Sequence, residues 1–178
     1  VSPLSNYNVI VLDQNLKNNG FLTFTNTNVS RSGEFYDANV SGISSKLNTK
    51  NNDYFIKTQA VISNIINSDS NSLGHTWGFE SGKQRGNLTY GVKYYEESDN
   101  YNPNDLGFLR ANNSRVGELF IGYRNFNPKN EKLNKYFTSA SFTREWLYAP
   151  NLFGGNFWNA RATMISNSFN SAGIRLNG

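Results

Sequence analysis

The chain has 178 residues, and its 17 Lys and Arg against 13 Asp and Glu leave a formal charge of +4 at pH 7. That length fits a single domain, residues 1–178, large enough to build a real core if it closes on itself. The absence of Cys excludes a disulfide scaffold, a thiol nucleophile and any thiolate zinc site, and leaves His75 to carry all histidine chemistry.

No run approaches the roughly 18 consecutive apolar residues of a membrane-spanning helix. The mean hydropathy is −0.59, yet 15% of the residues are aromatic, and disordered chains are poor in aromatics. Asn is the commonest residue, with Ser, Gly and Thr behind it and strong helix formers scarce. This composition favours strands and turns. The chain opens on Val1 with no readable targeting signal, as expected of a mature or partial sequence.

Taken in order, period-two runs predict strands at Tyr7–Asp13, Phe21–Asn28, Ala38–Leu47, Tyr54–Ser63, Gly74–Ser81, Gly86–Ser98, Val116–Arg124, Tyr136–Trp146, Phe157–Ile165 and Gly173–Leu176. The clearest is Gly86–Ser98, where Leu88, Tyr90, Val92 and Tyr94 alternate with Asn87, Thr89, Gly91 and Lys93. In Val116–Arg124, Leu119, Ile121 and Tyr123 form the apolar side and Phe120 is an exception on the polar one. In Phe157–Ile165, Trp158, Ala160, Ala162 and Met164 stand opposite Asn159, Arg161 and Thr163. Turn chemistry is expected at Asn18-Asn19-Gly20, Asn48–Asp53, Ser81-Gly82-Lys83, Asn127-Pro128 and Gly154-Gly155. A rough short-and-long alternation of connections is expected between Asn48 and Arg115, as in an up-and-down barrel.

A strand with one apolar and one polar face suits either a soluble sandwich or a membrane barrel. Only 17% of the residues are charged, against about 25% in soluble domains. The polar positions are mostly Ser, Thr, Asn and Gly, which fits a lumen better than a solvated surface. Tyr94, Tyr95, Tyr101, Phe108, Trp146, Tyr148, Phe153, Phe157 and Trp158 gather toward predicted strand ends, where amphipathic rings would meet a membrane interface. The expected fold is therefore all-β, an antiparallel up-and-down transmembrane β-barrel, with this chain an incomplete portion of a larger one. Leu88, Tyr90, Val92 and Tyr94 are its expected lipid-facing residues.

The segment Ser98-Asp99-Asn100-Tyr101-Asn102-Pro103-Asn104-Asp105-Leu106-Gly107-Phe108-Leu109-Arg110 lies between two of the clearest strands. It resembles a segment in a family of Bacteroidota outer-membrane proteins. In that family an N-terminal carbohydrate-binding-family-9-like domain precedes a C-terminal β-barrel domain of unknown function. Thr23–Gly42 and Trp77–Gly91 also look like the family, so the similarity covers much of the chain. The resemblance implies a bacterial outer-membrane location and a lipid bilayer as the main partner. It leaves room for contacts with other outer-membrane proteins, and for carbohydrate held by an upstream domain. It carries no reaction, catalytic residue or cofactor. Read physically, Tyr101, Pro103, Asp105, Gly107 and Phe108 form a structural loop motif: Pro103 fixes a turn, Asp105 caps backbone amides, Gly107 allows an unusual dihedral and Phe108 anchors the loop.

Other chemistries are poorly supported. His75 can be drawn with Asp69, Ser72 and Glu80 as a hydrolytic triad, but no nucleophile elbow or His-Glu-x-x-His motif is present, and no enzyme is expected. Glu96, Glu97, Asp99 and Asp105, with Asn100, Asn102 and Asn104, offer oxygen ligands, but out of the EF-hand register. Arg110, Arg115, Arg124, Arg144, Arg161 and Arg175 are scattered rather than clustered, so nucleic acid is not an expected partner. The glycosylation-type tripeptides at Asn28, Asn39, Asn87 and Asn112 are expected by chance in an Asn-rich chain. Function is expected to be that of a barrel segment with a structural, transport or envelope-assembly role. The alternative is a soluble secreted β-sandwich that binds carbohydrate through exposed aromatics such as Trp146 and Trp158.

Overall fold

Ten strands follow one another in space in the same order as in sequence, each antiparallel to the next. In the computed structural model, which describes residues 3–105 and 107–178, they are β1 (Ser5–Leu16), β2 (Gly20–Arg31), β3 (Asp37–Asn48), β4 (Tyr54–Ile66), β5 (Asn71–Lys83), β6 (Leu88–Glu97), β7 (Ser114–Asn125), β8 (Leu133–Trp146), β9 (Phe153–Ser166) and β10 (Ser171–Asn177). All ten predicted runs fall inside these strands or overlap them, because alternation sustained over several residues is the signature of a pleated strand. The up-and-down order is as expected. Closure is not present: β1 and β10 are the two edges of one sheet and do not pair with each other.

No second sheet packs on this one, so the two-layer sandwich held as the alternative does not form among the described residues. Apolar side chains are buried at only a few places, Val29, Ala38 and Tyr101, while large hydrophobic residues stand exposed along every strand. A soluble fold buries one apolar face; here neither face of the sheet is covered by another layer.

Turns mostly fall where polar clusters predict them. Asn18 and Asn19 adopt positive φ in the short helical turn between β1 and β2, and Asn52 does so between β3 and β4, a conformation that Asn tolerates better than most residues. Two turn expectations are corrected. Ser81-Gly82-Lys83 is the end of β5, and the turn is Gln84–Asn87. Gly82 lies opposite Gly91, and a Cβ on Gly82 would sit 2.2 Å from the Tyr90 carbonyl oxygen, so this glycine serves close strand approach rather than reversal. Gly154-Gly155 likewise belongs to β9. The expected alternation of loop lengths is also absent. The connections 49–53, 67–70 and 84–87 are all tight, and only 98–113 is long.

Candidate functional site

Residues directly opposite in neighbouring strands share a face, so the register sorts the sheet into two surfaces. On one, Leu88 faces Tyr123, Tyr90 faces Ile121 and Val92 faces Leu119. The same surface continues through Phe142 and Trp158 on one side and through Ile56, Ile43 and Phe24 on the other. These side chains are uncovered: Leu119 is 59% exposed and Ile62 is 53%. Of the four residues expected to face lipid, Leu88, Tyr90 and Val92 are exposed at 40%, 42% and 37%. Tyr94 is half-buried against Trp77, with ring centroids 5.1 Å apart.

The apolar band runs obliquely across the hydrogen-bonded rows. One row passes through Trp158, Phe142, Leu119 and Val92 and on to Ser81, Ile56 and Leu47. It marks the last apolar position of β9 before Asn156, yet it lies near the opposite border of the band in β3 and β4. The next row is polar at Asn156 and Arg144 but aromatic at Tyr94 and Phe79. The row beyond holds Arg115 and Glu96, then Trp77, Ala60, Ile43, Phe24 and Leu12. The border of the band therefore falls at a different position along each strand than along its neighbour.

The other surface is mainly polar. It carries Lys46, Lys57, Glu80, Lys93 and Glu118 in a single cross-strand row, with Arg161 and Arg175 facing each other on β9 and β10. On the apolar surface, charged residues occur only toward strand ends, at Asp37, Lys83, Glu96, Arg115 and Arg144. Phe120, the exception in the sequence pattern, lies on the polar side with its ring against Gly91. Strand β1 departs from the rule, with Val9 and Val11 exposed on the polar side as well.

At one rim the long connection 98–113 folds back over the polar surface. Ser98 anchors its start, its Oγ accepting from the His75 amide at 2.8 Å while its own amide donates to the His75 carbonyl at 2.9 Å. The Asn102 amide donates to the Ser63 Oγ on β4 at 2.9 Å, and Asp105 pairs with the Arg31 guanidinium at the end of β2. The Tyr36 hydroxyl also donates to Asp105, at 3.3 Å. The segment thus crosses from β6 to β2, about 19 Å at the usual strand spacing. Beneath it lies nearly all the buried material of the sheet: Val29, Ala38, Ser63, Thr76 and Glu97, with Tyr101 from the loop itself. Gly74 permits this approach, since a Cβ there would be 2.3 Å from the Asn100 carbonyl.

Within the motif the parts are distributed differently from expectation. Tyr101 is the anchor, only 8% exposed, whereas Phe108 is 86% exposed and anchors nothing. Asp105 spends its carboxylate on Arg31 and Tyr36. The capping falls to Asn102, whose Oδ1 accepts from the Asn104 amide at 3.1 Å, and to Asn104, whose Oδ1 accepts from the Leu109 amide at 2.6 Å. A Cβ on Gly107 would meet the Pro103 carbonyl at 2.9 Å, so this glycine serves a close approach within the loop. Pro103 is half-buried, and Leu106 lies outside the described residues. Burial pushes the Tyr101 phenol above its ordinary value, and the Glu97 charge adds to this.

At the same rim but on the apolar surface, Glu96 gathers donors. Arg115 Nε reaches it at 2.7 Å, the Tyr94 hydroxyl at 2.9 Å and Trp77 Nε1 at 3.2 Å, with His75 Nε2 at 3.4 Å. The Tyr148 ring lies under the Arg115 guanidinium at 4.7 Å and edge-on to His75 at 5.5 Å. His75 thus has Glu96 as its partner rather than the residues of the sequence triad, because Ser72 and Glu80 alternate onto the opposite surface. Glu96 and Glu97 also point to opposite surfaces, so the carboxylates considered as calcium ligands do not converge. The arginines divide as well: Arg115 and Arg144 border the apolar band, while Arg124, Arg161 and Arg175 lie on the polar surface. Of the aromatics expected near the interface, Tyr95 and Phe157 fall on the polar surface, being sequence neighbours of Tyr94 and Trp158.

Arg31 lies in the family-like stretch Thr23–Gly42, but its pairing with Asp105 is not legible there, and Ser63 and Gly74 carry no signal in the sequence, since each meets a partner distant along the chain. No curated protein and no solved structure matches the chain. One family does, over residues 1–178, and with the whole length covered the chain belongs to the family described as a domain of unknown function, DUF5916.

Proposed function

We propose that this chain is a membrane-spanning part of a β-barrel in the outer membrane of a Bacteroidota-type bacterium, with its apolar surface toward lipid and its polar surface toward the lumen. The observation that carries this reading is the oblique apolar band, exposed on every strand it crosses and free of charge except at its borders. In water each half-exposed Leu, Ile or Phe forgoes about 1 kcal/mol of transfer free energy, and hydrocarbon would return it. With lipid on that side, the charged row from Lys46 to Glu118 faces an aqueous interior, where it needs no ion pair closer than solvent allows. The open edges of β1 and β10 would be satisfied by further strand pairing, since an unpaired edge is costly in hydrocarbon.

The family-like segment at Ser98–Arg110 supports the same reading, and its position over the polar surface is that of a loop folded into a lumen. Such a barrel serves passage of hydrophilic solutes or envelope assembly. The glycan-binding alternative loses its sandwich, and its two test aromatics lie apart: Trp158 takes the last apolar position of β9 on the exposed apolar surface, and Trp146 stands beyond that border beside Arg144. The test is fractionation of the full-length protein. It should pellet with membranes and enter solution only with detergent, showing heat-modifiable mobility on gels; full recovery in the aqueous fraction would refute the proposal.

A further inference from the structure

The charges of the polar surface fall into two electrically different halves. From β3 to β7 the row reads Lys46, Lys57, Glu80, Lys93, Glu118; Lys46 and Lys57 face each other, while Lys57 and Lys93 each have a carboxylate directly opposite. On β9 and β10 the pattern changes. Arg161 and Arg175 are directly opposite on the same surface, and among the described residues no carboxylate lies within salt-bridge distance of either. Like charges in that relation destabilise a strand pair, and an arginine keeps its charge at every accessible pH. Both side chains are exposed, and no described carboxylate pairs with them, which leaves the two guanidinium groups open to water or an anion.

Beside this pair the polar surface forms a groove of about 490 Å³, with Arg161 on one side and Arg124 on the other. Thr89, Ser139 and Thr163 supply hydroxyls to it, and Phe137 an apolar flank. Arg161 Nε donates to Thr163 Oγ1 at 3.3 Å, which leaves its terminal nitrogens available. Arg124 is held by the Gln84 and Gly86 carbonyls, both at 3.1 Å, so its charge is fixed in place. Arg175 lines an adjoining pocket together with Arg161 and Thr163, and two guanidiniums on one surface match the two oxygens of a carboxylate or sulfate; the hydroxyls and the ring match the hydroxyls and apolar face of a pyranose.

Resting on the lumen assignment above, we infer that Arg161 and Arg175 form a binding site for the acidic group of an anionic sugar passing along the polar surface. The partner chemistry is a carboxylate or sulfate carried on a hydroxyl-rich ring. The Lys and Glu row farther round the sheet has carboxylates interleaved with its lysines and takes no part in this recognition.

The test uses the full-length protein in detergent micelles, titrated calorimetrically with sodium glucuronate and with glucose. Glucuronate should bind and glucose should not, and the affinity should fall as salt rises. Arg161→Gln should weaken glucuronate binding about tenfold or more, the loss expected for a charge-assisted pair. Arg161→Lys should retain part of it, and Lys93→Gln should leave it unchanged. Heat-modifiable mobility, run on each preparation, reports folding separately. A folded, membrane-inserting protein that binds glucose and glucuronate alike, or whose Arg161→Gln variant binds glucuronate undiminished, overturns this inference and leaves the membrane proposal standing. A protein that remains aqueous overturns the membrane proposal itself, and this site with it.

Discussion

Val92 lies midway along the apolar stretch Leu88–Tyr94 of β6, opposite Leu119, and is 37% exposed. If that surface meets hydrocarbon, Val92→Arg places a guanidinium near the bilayer midplane, at a cost of about 2–4 kcal/mol. At 1.4 kcal/mol per tenfold, the folding equilibrium should fall from about thirtyfold to several hundredfold. Thr89 lies in the same strand but on the polar surface, opposite Gly122. Thr89→Arg should cost less than about 1 kcal/mol, because the new charge meets water. The assay is reversible urea unfolding of the full-length protein in phospholipid vesicles, followed by tryptophan fluorescence. The oblique band adds a sharper control. The row that carries Tyr94 and Phe79 already carries Arg144 on β8, so Tyr94→Arg should be costly although the protein has an arginine two strands away in the same row. Equal costs for Val92→Arg and Thr89→Arg, or a larger cost for the second, would refute the assignment of surfaces.

Asp105→Asn removes the charge that holds the long loop to Arg31, and should loosen loop docking by about 1–3 kcal/mol, seen as faster proteolysis within 98–113 with the strands intact. Gly74→Ala should release the same loop, because its Cβ would strike the Asn100 backbone at 2.3 Å, whereas Gly117→Ala should be silent, its nearest neighbour being Trp146 at 3.9 Å; hydrogen exchange at the Asn102 amide reads both. Tyr101 has a folded pKa raised above its ordinary 10.0, so the neutral phenol is the form that docks. Docking is fully present below pH 10 and weakens as pH climbs through the raised value, and Tyr101→Phe should remove that alkaline release from the proteolysis profile.

The strands were legible because alternation is a local property: Leu88 to Tyr94 and Trp158 to Met164 declare their faces within a few residues. The same alternation explains two failures of aromatic placement, since Tyr95 and Phe157 follow or precede a ring on the apolar side and must therefore point the other way. What could not be read locally was which partner each loop residue would find. Asp105 has the chemistry of a cap, and only the fold brings it to Arg31, 74 residues away in sequence. Gly82 and the Gly154-Gly155 pair read as turns for a related reason, since Gly82 and Gly91 serve a strand–strand approach visible only once the register is known.

The alternating charges from Lys57 to Glu118 bear on how the chain finds its alignment. A slip of one residue between neighbouring strands would exchange the two surfaces and is penalised by hydrophobicity alone. A slip of two residues keeps every side chain on its proper surface, and greasiness cannot tell it from the native pairing. Electrostatics can: moving β6 two places against β5 would set Lys93 across from Gly78 or Gly82 and leave Glu80 without its opposite number. Those charges therefore act as a vernier that distinguishes the native alignment from its nearest look-alikes.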